Sequence, residues 1–554
     1  MIFRVFSSPC FIIPFVTTSS ANNQIARAAG TVMFAIVLGQ LAGLARSIIV
    51  AHAFGASPEL DAFFAANRVS ETLFLLVAGG ALGSAFIPTF TGLLAKKETD
   101  SAWRLASSLA NAVTLTLILL AVLSAIFAPQ IVRYSVGRGF VDDPALFALT
   151  VSLLRIQLIS AVLFGLGGLV VGILNAHQVF LVPALTPAMY QLGIIFGALV
   201  LAPSMGIYGL AWGVVIGAAF YLLLQLPSLF KLVRADSEVS RLRSKVGRLW
   251  TPWNPTLDPT VRHVLLLMGP RLLGVAVVQL NFWVNISLAS EMTFGSVSGL
   301  TYGFSLMLMA QAAIAQSVAI AAMPTFSAQH ALGQRDEMRT SLAASLRGVI
   351  FLALPASLGL MLLRVPLVAA LYQRGEFTAQ STELVSWALL WYAAGLVGHS
   401  IMEVLTRAFY AQHDTKTPVI IGTVAMLLNI AFSIGFARLF EQVGWLPLGG
   451  LALANSLATA LEAVALFIVM RKRLEGIEGA HIARGFIQAA AAGLGMSLML
   501  GLWIQATGGS NRWLVALGGV AVGGVVYGLV MLALRVPEIQ MLIRAVMGKV
   551  RRNR

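Results

Sequence analysis

The sequence predicts an all-α polytopic membrane protein with fourteen transmembrane helices, and three observations support this fold class. Of the 554 residues, 58% are hydrophobic and only 11% are charged, whereas soluble proteins carry about 25% charged residues. The mean hydropathy is +0.87. Apolar runs of the roughly 20 residues that a membrane helix needs recur along the chain. The composition excludes a soluble enzyme, a disordered chain and, because Cys10 is the only cysteine, a disulfide-stapled secreted domain.

The predicted spans follow one another and are separated by turn and charge signals. The segments Gly55–Pro58, Asp142–Pro144 and Asp414–Pro418 are typical breaks, because glycine, proline and short polar residues favour turns. A β-barrel would instead need segments of about 10 residues that alternate in polarity. The fourteen spans are residues 28–52, 62–94, 105–128, 148–173, 182–203, 206–230, 264–290, 297–323, 343–363, 382–409, 418–437, 446–470, 484–506 and 513–534.

The basic residues support this count and orient the chain. With the N-terminus placed inside, the predicted inner loops and tails hold 27 of the 37 Lys and Arg residues, counting those at span ends with the adjacent loop. The predicted outer loops hold 6, and 4 lie within spans. Because membrane proteins concentrate Lys and Arg in cytoplasmic loops, both termini are expected in the cytoplasm. The same rule accounts for the net charge of +15 without a nucleic-acid partner.

The two halves of the chain repeat at an offset of 235 to 237 residues. Since the repeat contains an even number of spans, we expect two parallel six-helix lobes related by a pseudo-two-fold axis along the membrane normal, plus two extra C-terminal helices. Secondary transporters with parallel repeats are built in this way, with the substrate site between the repeats. The matching anchors are Ile87–Phe90 with Met323–Phe326, Phe140 with Phe377, and Pro183 with Pro418.

This organisation divides the chain into five predicted regions. The segment 231–262 carries seven basic residues and is expected to be a cytoplasmic linker near anionic lipid headgroups. The regions are an N-terminal lead-in (1–27), an N-lobe (28–230), the basic linker (231–262), a C-lobe (263–471) and a C-terminal region with the last two helices and a basic tail (472–554).

Charged side chains on the first two spans are the main candidates for a substrate site. Arg46 shares a helical face with two small glycines, and Asp61, Arg68 and Glu71 share a stripe on the second span. An intramembrane charge is costly and needs a functional or structural reason. One interpretation is a cationic pocket for a phosphate-bearing substrate, because Arg matches phosphate oxygens bidentately. The alternative is that Asp61 and Glu71 neutralise the two arginines and only brace the helical hairpin.

A second set of candidates lies on span seven, the repeat-mate of span one. Arg271, Asn281 and Asn285 fall on one face of this helix, and they are expected either to line the central space or to join helices by hydrogen bonds. Glu403 and Arg407 on span ten are read as a local i, i+4 ion pair. No phosphate-binding loop and no Cys/His metal cluster is present in the sequence, so neither a built-in ATPase nor a cofactor is expected.

Several short motifs resemble the MviN/MurJ family. The resemblance extends over residues 28–535, and the fourteen predicted spans agree with it. It rests on Phe54–Ala56, Asp61–Phe64, Ala85–Pro88, Gln373–Thr378 and His413–Val419.

The resemblance implies the fold of the multidrug/oligosaccharidyl-lipid/polysaccharide exporter superfamily and a place in the bacterial cytoplasmic (inner) membrane. It also implies a flippase that moves lipid II, an undecaprenyl-pyrophosphate-linked muropeptide, to the outer leaflet for cell-wall synthesis. The headgroup would cross a cationic cavity by alternating access, and the tail would follow a groove at the two extra helices. Coupling to the membrane potential or a monovalent cation, rather than to ATP, is implied. The expected partners are lipid II, membrane lipids and the peptidoglycan synthesis machinery.

The sequence also departs from the family pattern, which keeps other functions open. Cavity charges usual in the family are replaced by Gln40, Phe74 and Gly79, and another falls near Ser305. The alternatives are export of another polyprenyl-linked glycan or an amphipathic drug, and a non-transporting cell-envelope scaffold. A membrane glycosyltransferase would need a catalytic carboxylate outside the membrane, for which Asp142 and Asp143 are the candidates.

Overall fold

The structure, a computed structural model, describes residues 19–76, 86–235 and 259–536. The regular elements in these ranges are helices, which confirms the all-α class. Most of the predicted lead-in, linker and basic tail lie outside the described residues, as does Gly79. The predicted division into five regions therefore stays a prediction.

The N-terminal half, defined as α1 to α10, combines long helices with short helical segments. A π-helical turn (Val132–Val136) and a 3-10 turn (Arg138–Phe140) join α5 to α6, and a second π-helical turn (Gly197–Leu201) joins α7 to α8. The helices are α1 (Ser19–Phe54), α2 (Pro58–Phe74), α3 (Ile87–Ala95), α4 (Thr99–Ile126), α5 (Ala128–Ile131), α6 (Pro144–Ala176), α7 (Leu181–Phe196), α8 (Ala202–Met205), α9 (Ile207–Leu223) and α10 (Leu226–Ala235).

The C-terminal half, defined as α11 to α19, has the same character and is followed by a final helix pair. A π-helical turn (Ala312–Gln316) joins α12 to α13 within one continuous rod. The helices are α11 (Pro259–Ser290), α12 (Ser296–Gln311), α13 (Ser317–Ala331), α14 (Arg335–Leu362), α15 (Arg364–Tyr372), α16 (Ala379–Ala394), α17 (Leu396–Ala411), α18 (Lys416–Val443), α19 (Leu448–Arg473), α20 (Gly479–Thr507) and α21 (Arg512–Ala533).

The described helices overlap each of the fourteen predicted spans, but fewer meet a strict criterion of length and hydropathy. In the described part of the chain, 11 helical segments are long and apolar enough to cross a membrane, or 12 if the bent pair α16–α17 counts as one. This pair is bent by 48° at Gly395. In the second span the residues between α2 and α3 lie outside the description, and in the seventh only Val275–Ser290 passes as a shorter apolar helix.

Local sequence signals fix where several helices begin. The Ser57 hydroxyl accepts a hydrogen bond from the Leu60 amide, and Pro58 occupies the first helical position of α2. Asp143 and Pro144 start α6 in the same way, with the Asp143 carboxylate accepting from two amides. Side-chain caps satisfy amides that have no partner within the helix, and proline costs nothing at that position.

The repeat anchors occupy matching places in the two halves. Pro183 and Pro418 are each the third residue of their helices, α7 and α18. Phe140 and Phe377 are both about 1% exposed in loops that follow short helices. Their burial explains why the two phenylalanines anchor the repeat. The halves differ elsewhere, because α6 is continuous where its repeat-mate is bent between α16 and α17.

Small residues allow the closest helix packing in the N-terminal half. Helices α7 and α9 cross where Gly193 faces Gly217 and Gly197 faces Gly213, and an added Cβ at any of them would strike facing backbone. Membrane helices associate closely through such small residues because lipid offers no hydrophobic driving force between helices. This packing holds Tyr190 and Ile194 of α7 against the space between the two halves.

The final pair, α20 and α21, packs on the C-terminal half through α14. Arg347 of α14 is only 2% exposed, and its Nη1 lies 2.6 Å from His481 Nε2 and 3.2 Å from the His481 carbonyl oxygen. The Tyr527 hydroxyl of α21 donates to the Phe351 carbonyl at 3.0 Å. These buried polar contacts fix the position of the pair against α14.

Asp414 organises the corner between α17 and α18. Its carboxylate accepts from the Lys416 and Thr417 amides, each at 3.0 Å, and from the Thr417 hydroxyl at 2.6 Å. It also pairs with Arg473 at 2.6 Å, which ties the corner to the end of α19. Burial raises the pKa of this carboxyl, but hydrogen bonds from Thr417 and the nearby Arg473 outweigh burial and lower the pKa to about 2.

We expect Asp414→Ala to lower the thermal unfolding temperature of the purified protein, with a cost of about 0.5–2 kcal/mol for losing the helix cap. Asp414→Asn, which keeps a cap acceptor but loses the charge, should lose less. The pKa of Asp414 is lower in the folded protein than its ordinary value of 3.8, so the carboxylate charge stabilises the fold fully above about pH 3.8. This stabilisation is lost as the pH falls through about 2. Equal unfolding temperatures for wild type and Asp414→Ala at neutral pH would contradict this role.

Candidate functional site

The two halves meet at one end of the helix bundle, which we call the Gly55 end because it contains the turn at Gly55. A buried carboxylate joins the halves there. Asp61 of α2 is 2% exposed and accepts hydrogen bonds from the Gly295 amide at 2.7 Å, the Ser298 amide at 2.7 Å and the Ser298 hydroxyl at 2.6 Å. Asp61 thus caps the N-terminus of α12 from the other half of the chain, where free amides and the helix dipole favour an anion.

Further contacts between the halves surround this cap. The Ala56 amide donates to the Ser381 hydroxyl at 3.2 Å, and the Gly139 amide donates to the Ser290 hydroxyl at 3.1 Å. Arg138 pairs with a partly exposed Glu291 at 3.2 Å. Together with the Asp61 cap, these contacts close the Gly55 end in this conformation.

Two glycines make this closure possible. Gly55 has φ +62° and Gly375 has φ +57°, a left-handed backbone that other residues adopt only with strain. A Cβ at Gly55 would clash with the Glu376 carbonyl, and one at Gly375 would clash with the His52 carbonyl. The Glu376 amide also donates to the His52 carbonyl at 3.0 Å. The motifs around Gly55 and Gly375, which are far apart in sequence, therefore form a single contact.

A small cavity lies beneath the closed end, between the halves. Its volume is about 30 Å³, which is room for one or two water molecules and far too little for a sugar. Tyr302 of α12 contributes from the C-terminal half, and its hydroxyl has no hydrogen-bond partner among the described residues. The other lining residues come from α1, α2 and α7 and are Arg46, Ser47, Val50, Phe63, Phe64, Asn67, Tyr190 and Ile194.

Arg46 is the one cationic side chain among these lining residues. Its Nη2 donates to the neighbouring Ser47 hydroxyl at 3.2 Å. In the described ranges, no carboxylate oxygen lies within 4.0 Å of its guanidinium. Asp61, which the sequence offered as a neutralising partner, is held by α12 instead. The charge of Arg46 is therefore not locally neutralised and can meet an anion that enters the cavity.

Arg68 is arranged differently. Its Nη1 pairs with Glu71 at 3.0 Å, with side chains 22% and 44% exposed, and its guanidinium stacks over the Phe282 ring of α11 at 4.5 Å. The neutralised interpretation thus describes Arg68 in this conformation, whereas it does not describe Arg46. Next to it, the Thr72 hydroxyl accepts from Trp283 Nε1 at 2.8 Å and lies 3.2 Å from Gln279 Oε1.

Asn281 and Asn285 share a face, as predicted, and this face contacts α18. Asn281 Nδ2 donates to the Met426 carbonyl at 3.2 Å, and Asn429 Nδ2 donates to Asn281 Oδ1 at 3.3 Å. The Ser433 hydroxyl lies 2.9 Å from Asn285 Oδ1. In this conformation the two asparagines join α11 to α18 rather than line the cavity. The side chain of Arg271 lies outside the described part of the chain.

The sequence did not single out four polar lining residues, which are Ser47, Asn67, Tyr190 and Tyr302. The available signal was weak, since each is a single polar group in an apolar helix. A buried tyrosine hydroxyl normally finds a partner, but only the packing of α7 and α12 reveals that these two tyrosines meet the same space as Arg46.

Known proteins resemble this chain over most of its length. The sequence profile of the family "Lipid II flippase MurJ" matches residues 50–522. The chain belongs to the MurJ family. The lipid II flippase MurJ of Burkholderia cenocepacia is 31% identical over 81% of this chain and 84% of its own length. A probable lipid II flippase MurJ of Vibrio cholerae is 32% identical over 78% and 80% of the respective chains.

Solved structures extend the MurJ comparison to the fold. A lipid II flippase MurJ in an inward closed conformation has a TM-score of 0.74 and 25% identity, and the match covers 92% of this chain and 99% of that one. An inward-facing MATE-family multidrug resistance transporter has a TM-score of 0.64 at 18% identity, covering 79% and 94%. The second match shows a shared fold alone.

We expect Asp61→Ala to open the Gly55 end. In the closed form this substitution leaves the amides of Gly295 and Ser298 without an acceptor, which costs about 1–3 kcal/mol of stability for each amide. In an open form, water satisfies both amides. The measurement is disulfide formation between Ala56→Cys and Ser381→Cys with Cys10→Ser, and the yield should fall in Asp61→Ala. Asp142→Ala, which removes an exposed carboxylate near the same end, is the control. An unchanged yield in folded Asp61→Ala protein would refute the cap as a closing contact.

Proposed function

We propose that this protein translocates lipid II from the inner to the outer leaflet of the bacterial cytoplasmic membrane by alternating access. The single observation behind the choice of substrate is Arg46, which has no carboxylate partner among the described residues and lies in a cavity between the halves of a MurJ-family chain. A pyrophosphate-linked headgroup supplies the missing anion. The protein acts as a transporter rather than an enzyme.

The proposed architecture has fourteen transmembrane helices in two six-helix lobes, with α20 and α21 as the extra pair. The three spans that the strict test does not count are supplied by the bent pair α16–α17, by the second span, whose described parts are α2 and α3, and by α11, of which Val275–Ser290 is the apolar part that was tested. Both termini are placed in the cytoplasm by the Lys and Arg distribution. The Gly55 end then faces the outside of the cell.

This orientation gives the closed contacts a role in the cycle. With the outer end sealed by Asp61 and the Gly55–Gly375 contact, the headgroup enters from the cytoplasmic side. A cavity of about 30 Å³ cannot hold it, so the lobes must separate before binding. Release to the outside then requires breaking the Asp61 cap, and the tail remains in the membrane throughout.

Arg46 is proposed to bind the pyrophosphate, because the guanidinium fork matches two phosphate oxygens at once. Arg68 stands on the neighbouring helix and is proposed to join when Glu71 releases it. Arg271, Asn281 and Asn285 remain candidate residues of the opposite lobe, and they would need a different arrangement of α11 to reach the headgroup. Energy is proposed to come from the membrane potential or a monovalent cation.

We expect Arg46→Ala to slow lipid II translocation by about ten- to hundred-fold without loss of protein from the membrane. Losing a hydrogen bond to a charged group costs about 1.5–3 kcal/mol, a ten- to hundred-fold loss, and Arg46→Lys should be intermediate because it keeps only the charge. The test is complementation of a bacterium depleted of its own flippase. Outer-leaflet lipid II is read by its exposure to an added cleaving enzyme, with exposed Arg104→Ala as the control.

The outcomes separate the competing functions. Rescue by wild type and not by Arg46→Ala supports the proposal. A wild-type protein that reaches the membrane and rescues nothing indicates another lipid-linked glycan or an amphipathic drug as cargo, if it still binds lipid. If wild type and Arg46→Ala both restore viability but a variant without the basic linker does not, the result indicates a scaffold.

We expect Glu71→Gln to bind a soluble lipid II analogue up to about five-fold more tightly. The change frees Arg68 from a partly exposed ion pair, and such pairs contribute about 0–1 kcal/mol. Binding can be followed by tryptophan fluorescence of the purified protein. Weaker binding would mean that Glu71 contacts the substrate itself, as the sequence allowed.

A further inference from the structure

Glu462 is an acidic side chain in the middle of an apolar membrane helix, away from the cavity. It lies in α19, about 21 Å from the start and 16 Å from the end at 1.5 Å per residue. Its side chain is 8% exposed. A carboxylate at that depth is costly and by default indicates a function.

Among the described residues, the surroundings of Glu462 offer its carboxylate no hydrogen-bond or ion-pair partner. Its Oε1 would be 3.1 Å from a Cβ placed on Gly422, so the group rests against the bare backbone of α18. Within the described ranges, it makes neither a hydrogen bond nor an ion pair within 4.0 Å. Asp61, the other buried acidic residue discussed above, accepts three hydrogen bonds. Glu462 therefore lacks the contacts that stabilise a buried anion.

Three of the four ionisable groups on α17 are engaged with other residues. Glu403 and Arg407 pair with each other at 3.0 Å. His399 Nε2 lies 3.1 Å from Asn455 Oδ1, two turns before Glu462 on α19. Tyr410 lies in the last turn of α17.

The other helices packed on α19 bring no close counter-ion to it among the described side chains. Lys416 starts α18, about 9 Å along the axis from Gly422, and Arg438 and Glu441 lie at the far end of that helix. Helix α16 carries Glu383 and Tyr392, and α12 carries Tyr302. The side chains of Arg262, His263 and Arg271 in α11 lie outside the description.

These observations limit what Glu462 can bind. Ca²⁺ and Mg²⁺ take six or more oxygen ligands and Zn²⁺ usually takes four, and the described part of the chain contains no group of three His, Cys, Asp or Glu that could hold a metal. A proton needs only the one carboxylate and removes the buried charge. We infer that Glu462 is a proton-binding site that gains and loses a proton during the transport cycle, an inference that rests on the proposed transport function.

The position of Glu462 couples its protonation to the helices of the candidate substrate site. Its carboxylate contacts α18 at Gly422, one turn from Met426, whose carbonyl accepts from Asn281 of α11. The next residue of α11, Phe282, stacks under Arg68 in the other half. A change of charge at Glu462 alters the α18–α19 contact, and α18 and α11 are joined to the candidate substrate site by these bonds.

The first experiment asks whether Glu462 binds a proton, without using the substrate. The infrared difference spectrum of the purified full-length protein is recorded on changing the pH, and it reports the carbonyl stretch of a protonated carboxyl group. We expect a band that Glu462→Gln lacks and that the titratable Glu462→Asp keeps at a shifted frequency. Glu441→Gln, an exposed change on the neighbouring helix, should keep the wild-type band. An unchanged band in Glu462→Gln would overturn the proposal.

The second experiment asks whether the proton is coupled to transport. Lipid II translocation is measured in proteoliposomes with and without an imposed pH gradient. We expect several-fold acceleration by the gradient in wild type, Glu462→Asp and Glu441→Gln, and none in Glu462→Gln. Full acceleration in Glu462→Gln would refute the coupling. If wild type shows the infrared band but moves no lipid II, the proposed function has failed while the proton site stands.

Discussion

The carboxylate of Asp61 is the contact on which the closed form depends. The N-terminus of α12 presents free amides in a place that water does not reach, and Asp61 supplies their acceptors across the boundary between the halves. Opening this end without another acceptor would leave those amides unsatisfied, at a cost of a few kcal/mol. Separation is therefore favoured only when water enters at the same time. In the closed form the turns at Gly55 and Gly375 approach so closely that a Cβ at either glycine would clash with the facing backbone.

The two arginines of the candidate site differ because of this arrangement. Once Asp61 is committed to α12, Arg46 has no carboxylate within reach among the described residues, whereas Arg68 keeps Glu71 and the Phe282 ring. An arginine without a local counter-ion raises the affinity of its cavity for an anion. A paired arginine such as Arg68 must first release its carboxylate partner before it can bind an anion. In the closed conformation Arg46 is available to an anion, whereas Arg68 is still paired with Glu71. This arrangement suits a substrate that arrives only after the halves separate.

Much of the fold could be predicted from the sequence, because hydropathy and the distribution of Lys and Arg report on the membrane directly. The repeat was visible because buried residues such as Phe140 and Phe377 recur at one offset. The partners of the site residues could not be predicted in the same way. Helical spacing placed Asp61 on a stripe with Arg68 and Glu71, but the amides that hold it lie more than 230 residues away and are backbone atoms. Spacing likewise gave the shared face of Asn281 and Asn285, and it could not say that α18 would cover that face.

Helix α11 connects these parts because its two faces have different neighbours. Asn281 and Asn285 contact α18, while Gln279 and Trp283 lie about 160–200° around the helix from Asn281 and contact Thr72 of α2. Polar contacts on both faces prevent α11 from rotating freely against either neighbour. When the halves separate, either the bonds to Thr72 break and α11 stays with α18, or the asparagine bonds break. The asparagine face is more deeply buried, with Asn429 1% and Ser433 fully buried, so breaking it exposes more unsatisfied groups. Helix α11 should therefore first move with α18, and the boundary that opens first lies along α2. Asn281 and Asn285 can reach a headgroup only in a later step that breaks their bonds to α18.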